Sequence, residues 1–405
     1  MKKCIPLSLL VILFSLSACN DTNEAAYVEG LHYLDGKPVR IEIMDGKISR
    51  VKPLSSNAGV PNAFLAPGLI DIQINGYMGV DFSDQQLTPD QMHKATYALW
   101  KEGVTSYLPT VITRDQERLS RSFALLAESR KDEILSMSIP GFHLEGPYIS
   151  PVKGYRGAHP VEHVRLPDWK EFTELQENAA QGIKLVAVAP EMDGAISFTE
   201  KCSESGLVVT LAHHNGSPGD IDQAVKAGAT LANHLGNGCA NEINRHHNPL
   251  WPQLAHDGLS ISIIADGSHL TREEVRTFFK VKGAEQTILV SDALSFAGLP
   301  PGIYEKDGAT YELTSEVVKF PSENVLAGAA MPLSRCIEHV MRFTGCGLDE
   351  AIRMASTNPA RLMGFDHLGE IKEGKRADLI LFTLEDGKMR IQKTWVAGKV
   401  VYLHD

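Results

Sequence analysis

Eight apolar runs of strand length recur between residues 69 and 295, each followed by a longer stretch with helical spacing. They are LIDIQING (69–76), VTSYLPT (104–110), MSIPGFHLEGP (137–147), IKLVAVAPE (183–191), LVVTLAHHN (207–215), ATLANHLGN (229–237), LSISIIADG (259–267) and TILVSDALS (287–295). Helical spacing is clearest over 89–102, 114–129 and 221–227. Buried strands alternating with helices predict a parallel sheet, because parallel neighbours need a crossover and a helix is the compact one. Eight of them predict a (β/α)8 TIM-like barrel, with an open doubly wound sheet as the alternative.

A barrel of this kind carries its functional groups at the C-terminal ends of its strands. Those ends hold Gln73 and Asn75, His143 and Glu145, Glu191, His213 and His214, His234 and Asn237, Asp266 and His269, and Asp292. Solvation of a sheet edge does not account for so many polar residues on one rim. A carboxylate such as Glu145, straight after an apolar run, is expensive to bury unless it is paired or binds a cation. Read alone, it is equally an ordinary loop residue, and His213 and His234 singly are hydrogen-bonded core or loop histidines. Together, one carboxylate and two imidazoles suit a divalent metal with a position open for water. Asp292 either manages the proton of that water or caps the segment that follows.

The chain ends are written differently. Residues 27–53 and 377–403 show short alternating strands with turn signals at DGKP (35–38) and DGK (45–47). Neither end has a core of its own, so both are expected to build one small β-sandwich domain, 27–66 with 369–405, around a barrel spanning 67–368. Ahead of them, Lys2 and Lys3 precede an apolar segment, 5–16, that is short for a membrane span and suits a signal peptide. Leu16-Ser17-Ala18-Cys19 resembles a bacterial lipobox, so residues 1–18 are expected to be removed, Cys19 lipidated and 19–26 left as a polar tether. An ordinary cleaved signal with an incidental Cys19 is the alternative. The expectation is an exported lipoprotein, periplasmic or at the cell surface, that meets a membrane only through this anchor. Loss of the two lysines takes the net charge from −11 to −13, and no basic run remains to bind nucleic acid. Cys202, Cys239, Cys336 and Cys346 form no CxxC pair and cannot be assigned to disulfides from sequence.

PGLIDIQINGYMGVDF, GFHLEGPYI, VVTLAHHNGS, NHLGN, IIADGSH, ILVSDALSFAG and LAGAAMPL, in this order, resemble the successive motifs of the N-acetylglucosamine-6-phosphate deacetylases of the amidohydrolase superfamily. The resemblance runs from about Tyr27 to the C-terminus. It implies hydrolysis of the acetamide of an N-acetyl amino sugar, with Glu145, His213 and His234 as metal ligands and Asp292 as general base and then acid. His269 would hold or polarise the acetyl carbonyl. Ala158, His159, Asn237, Gly238, Asp266, Leu326, Ala327 and Gly328 would line the sugar pocket. Many amidohydrolases end the first strand in His-x-His; here Gln73 and Asn75 stand in that place, and amides are poor ligands for a transition metal. One divalent ion per chain is therefore implied, with zinc first and iron, manganese or cobalt as alternatives, and a homodimer is implied as well.

One segment departs from the family. GCANEINRHHNPLWP is about two residues longer than its counterpart and has His247 where the phosphate-binding Arg falls, with Arg245 nearby. Two other functions compete: an inactive sugar-binding lipoprotein, and an amidohydrolase of another amide. The complete set of ligands and base opposes the first, and FHLEGP with LAGAAM opposes the second.

Overall fold

The structure, a computed structural model, describes residues 26–57, 59–306, 308–321 and 325–404. Cys19 and the leader lie outside the described residues. All eight expected strands form: β1 (Leu69–Ile74), β2 (Val104–Ile112), β3 (Phe142–Glu145), β4 (Ile183–Val188), β5 (Val208–Leu211), β6 (Ala229–Ala232), β7 (Ser260–Ile263) and β8 (Thr287–Leu289). They pair in sequence order in one parallel sheet. Beyond β8 the chain returns to β1: Asp292 N–H donates to Gln73 O (2.9 Å), and Asn75 and Gly76 N–H donate to Ala293 O (2.9 and 3.1 Å). The barrel is thereby closed at its functional end, which excludes the doubly wound alternative.

Local chemistry sets the helix boundaries. Pro89–Lys101 starts on a Thr88/Gln91 capping box with proline in the first turn and buries Met92, Ala95, Leu99 and Trp100. Pro218–Lys226 starts three residues before the apolar spacing indicates, because Ser217 and Asp220 cap each other's backbone N–H. The third run is corrected: residues 137–138 end a helix, Glu133–Ser138, whose first N–H groups Asp132 accepts, and the strand begins only after Pro140 and Gly141.

The two ends share a seven-stranded sheet, in spatial order Lys399–Leu403, Lys388–Val396, Leu379–Glu385, Phe64–Pro67, Ala26–His32, Pro38–Met44 and Lys47–Pro53. Its halves enclose Ile41, Ile43, Ile48, Leu65, Leu379 and Trp395. Asp45 and Gly46 turn the hairpin between Pro38–Met44 and Lys47–Pro53 at φ 51° and 74°, the left-handed pair that a two-residue connection requires. A further antiparallel sheet, Gly302–Lys306, Ala309–Leu313, Val317–Phe320 and Val325–Ala329, follows β8 and was not apparent from the sequence. Its strands are short, and their apolar residues (Leu313, Val318) pack on Phe296 rather than on the barrel core. No described helix is long and apolar enough to cross a membrane.

Candidate active site

Glu145 is the last residue of β3, and His213 and His234 each lie two residues beyond β5 and β6. All three side chains are buried. Glu145 Oε1 lies 2.9 Å from His234 Nε2 and 3.4 Å from His213 Nε2, and the two Nε2 atoms are 3.1 Å apart. Ligands at roughly 2.0–2.2 Å from a tetrahedral ion are about 3.3–3.5 Å from each other, so the triad needs to open by only a few tenths of an ångström to hold one. His213 Nδ1–H donates to Tyr155 O (2.9 Å), which leaves the Nε2 lone pair facing Glu145 and His234. His213, His234 and Asp292 all adopt left-handed backbone, φ 47°, 26° and 47°. Such conformations cost roughly 1–3 kcal/mol each in a non-glycine residue and persist where the surroundings over-determine them.

The amides of β1 brace the carboxylates. Gln73 Nε2 donates to Glu145 Oε1 (2.8 Å), and Asn75 Nδ2 donates to Asp292 Oδ1 (2.7 Å). Asn233 Nδ2 adds a second amide donor to Glu145 Oε1 (3.2 Å). Burial opposes the Glu145 charge, but the His213 and His234 rings beside it outweigh burial and hold the carboxyl well below the usual range. Asp292 goes the other way: burial, then the Glu145 charge, push it up to about 8, and a cation in the triad would draw it back down.

His269 and Asp266 form a unit. Asp266 Oδ2 accepts from His269 Nδ1 (2.6 Å), while Oδ1 accepts from the Ser268 and His269 backbone N–H groups (both 2.8 Å). His159 is bonded to Thr113 Oγ1 (2.8 Å) and packs edge-on against His213, ring centroids 4.4 Å apart; burial, then the His213 charge, push its pKa down to about 3. Asn237 donates to His234 O (3.3 Å). Gly238 passes so close to the ligands that an added Cβ would lie 2.8 Å from His213 N and 3.2 Å from His234 Cε1. Leu326, Ala327 and Gly328 belong to the strand Val325–Ala329, which runs beside the chain after Asp292 through Leu294 N–H to Ala329 O (3.0 Å). Ala158, Arg245 and His247 are exposed, and Trp251 Nε1–H donates to Arg245 O (2.9 Å). The neighbouring rim residues do other work. His143, pushed down to about 4 by burial, lies 3.3 Å from Thr110 Oγ1, while Glu191 and His214 accept from the backbone of Asn215 and Gly216.

Residues 64–401 match the amidohydrolase family. Over 352 residues the chain is 31% identical to N-acetylglucosamine-6-phosphate deacetylase of Bacillus subtilis, covering 84% of this chain and 88% of that one. The chain belongs to the N-acetylglucosamine-6-phosphate deacetylases of the amidohydrolase family. It is also 29% identical to N-acetylgalactosamine-6-phosphate deacetylase of Escherichia coli O157:H7, over 89% of this chain and 94% of that one. The crystal structure of N-acetylglucosamine-6-phosphate deacetylase from Thermotoga maritima superposes with a TM-score of 0.81 at 28% identity, over 94% of this chain and 100% of that one.

Within this amidohydrolase site, sequence reasoning missed Asn233, Thr113 and the Tyr155 carbonyl. Asn233 adjoins His234 in the NHLGN motif, and Thr113 directly follows β2, which runs two residues past the apolar pattern, so both left a signal. Tyr155 left none, because it acts through its backbone. The four described cysteines are all free thiols.

Proposed function

We propose that the protein hydrolyses the acetamide of an N-acetyl amino sugar to the free amino sugar and acetate, with N-acetylglucosamine-6-phosphate, the substrate named for its relatives, as the reference substrate. The observation that carries this is the buried triad of Glu145, His213 and His234, braced by Gln73, with Asp292 held next to it by Asn75. The triad would hold one divalent ion, zinc first, since two imidazoles and a carboxylate that leave a position for water suit it. Such an ion supplies Lewis acidity, which makes water a nucleophile near neutral pH.

Asp292 takes a proton from water as the oxygen adds to the acetyl carbon, and returns it to nitrogen as the C–N bond breaks. Because Asn75 occupies Oδ1, the proton moves on Oδ2. His269, oriented through Nδ1 by Asp266, would turn its Nε2 toward the acetyl oxygen. His159 and the strand bearing Leu326–Gly328 bound the sugar.

The lipobox of the leader supports export, where phosphorylated sugars are scarce, and the phosphate-reading position is His247, which has no fixed charge. A much weaker preference for the 6-phosphate than the relatives' names imply follows, with Arg245, two residues before His247, as the guanidinium to test. The test is acetate release from N-acetylglucosamine with and without the 6-phosphate. Arg245→Ala should raise KM for the phosphorylated sugar and leave the neutral one nearly unchanged. A strong phosphate preference that survives Arg245→Ala in a monomeric sample refutes this account of the segment.

A further inference from the structure

Asn75 uses only half of its amide on the protein. Its Nδ2 donates to Asp292 Oδ1 at 2.7 Å, whereas Oδ1 is buried and takes no hydrogen bond from any described residue. Buried acceptors are nearly always paired, and an amide oxygen has two lone pairs to offer. The side chain has little freedom to turn away, because its own N–H is tied to Ala293 O (2.9 Å) and the strand end is stitched to Asp292 through Gln73 O (2.9 Å). Turning the amide over would set its oxygen against Asp292 Oδ1 and give up the hydrogen bond that ties the side chain to the base.

We propose that Asn75 Oδ1 accepts the N–H of the scissile acetamide, so that Asn75 orients the base and the leaving nitrogen with one planar group. The proposal rests on the deacetylase reading above. Asp292 Oδ2 must reach the nitrogen to deliver its proton, and the group bonded to the other oxygen of that carboxylate is Asn75. At the reacting atoms of the substrate, this N–H is the only donor. When the proton arrives, nitrogen gains a hydrogen and needs an acceptor more, so the contact strengthens as the C–N bond breaks. Gln73 provides the internal comparison: its Nε2 braces Glu145 while its Oε1 is likewise buried without a partner among the described residues, and its side chain makes no hydrogen bond to the base.

The experiment compares an N-acetyl amino sugar with its O-acetyl counterpart, an ester lacking the N–H, in the metal-loaded enzyme and in Asn75→Ala and Asn75→Ser. In both variants kcat/KM for the amide should fall at least about tenfold further than for the ester, the effect of one lost hydrogen bond to a polarised group. The same comparison needs no variant: an N-methyl-N-acetyl amino sugar should be a much poorer substrate of the native enzyme. Without turnover, titration calorimetry should show weaker binding of the free amino sugar to Asn75→Ala, and unchanged binding of the deoxy sugar with hydrogen in place of amine, which has no donor there, at unchanged metal content. Equal losses on amide and ester with unaltered amine binding would assign Asn75 to Asp292 alone and overturn the proposal. A native enzyme that cleaves neither the acetamide nor the ester overturns the deacetylase reading itself.

Discussion

Replacing Gly238 by Ala inserts one methyl group between the two histidine ligands. The new Cβ would sit 2.8 Å from His213 N and 3.1 Å from His213 Cα, both backbone atoms, and 3.2 Å from His234 Cε1. Contacts below 3 Å to backbone are not relieved by rotating a side chain, so either the 238–240 loop or the His213 turn must move. That turn is already left-handed at φ 47° and is held by the bond from Nδ1 to Tyr155 O, which limits how far it can yield. Overpacking of this kind costs typically 1–3 kcal/mol. Because the displaced atoms belong to ligands, we expect metal affinity to fall by about 10–100-fold, as for the loss of a supporting residue. Free-metal-buffered titration and urea unfolding with and without metal read both effects. Gly219→Ala is the control: its Cβ would meet only Ser217 Oγ at 3.7 Å, and alanine in a helix is worth roughly 0.5–1 kcal/mol over glycine. Native metal affinity and stability in Gly238→Ala would refute the packing argument.

Three other outcomes are expected. Purified mature protein should hold close to one divalent ion per chain, lost in His213→Ala or His234→Ala, and two tightly bound ions in elemental analysis would contradict the role given to Gln73 and Asn75. Asp292→Asn should keep fold and metal but lose at least about 100-fold in kcat, since an amide cannot take the proton; near-native turnover would return Asp292 to a capping role. His159, with a folded pKa of about 3 against 6.5 unfolded, contributes stability that is fully present above pH 6.5 and lost as pH falls toward 3, about 2 kcal/mol of it by pH 5. In His159→Gln that loss should be missing from the difference between urea unfolding at pH 7 and pH 5, and identical differences in the two proteins would refute it.

Much of this protein was legible in the chain because burial of a parallel strand is a local property. Each of β1 to β8 announces itself by an apolar run, and the position of Glu145, His213, His234 and Asp292 just past such runs places them at one end once the barrel closes. Tertiary structure alone decided what these residues touch. Glu145 and His234 meet at 2.9 Å across 89 residues of sequence, and Asn75 meets Asp292 at 2.7 Å across 217, through barrel closure between β1 and β8. The amide pattern Gln73-x-Asn75 says that two imidazoles are missing; that each amide braces a different carboxylate follows from which strand ends are neighbours. The sheet of 302–329 escaped notice because its strands are only four or five residues long and Leu313 and Val318 pack in a small cluster of their own with Phe296, so no run is long enough to register. Tyr155 escaped because a backbone carbonyl is the same in every residue, so only the fold could appoint it to orient His213.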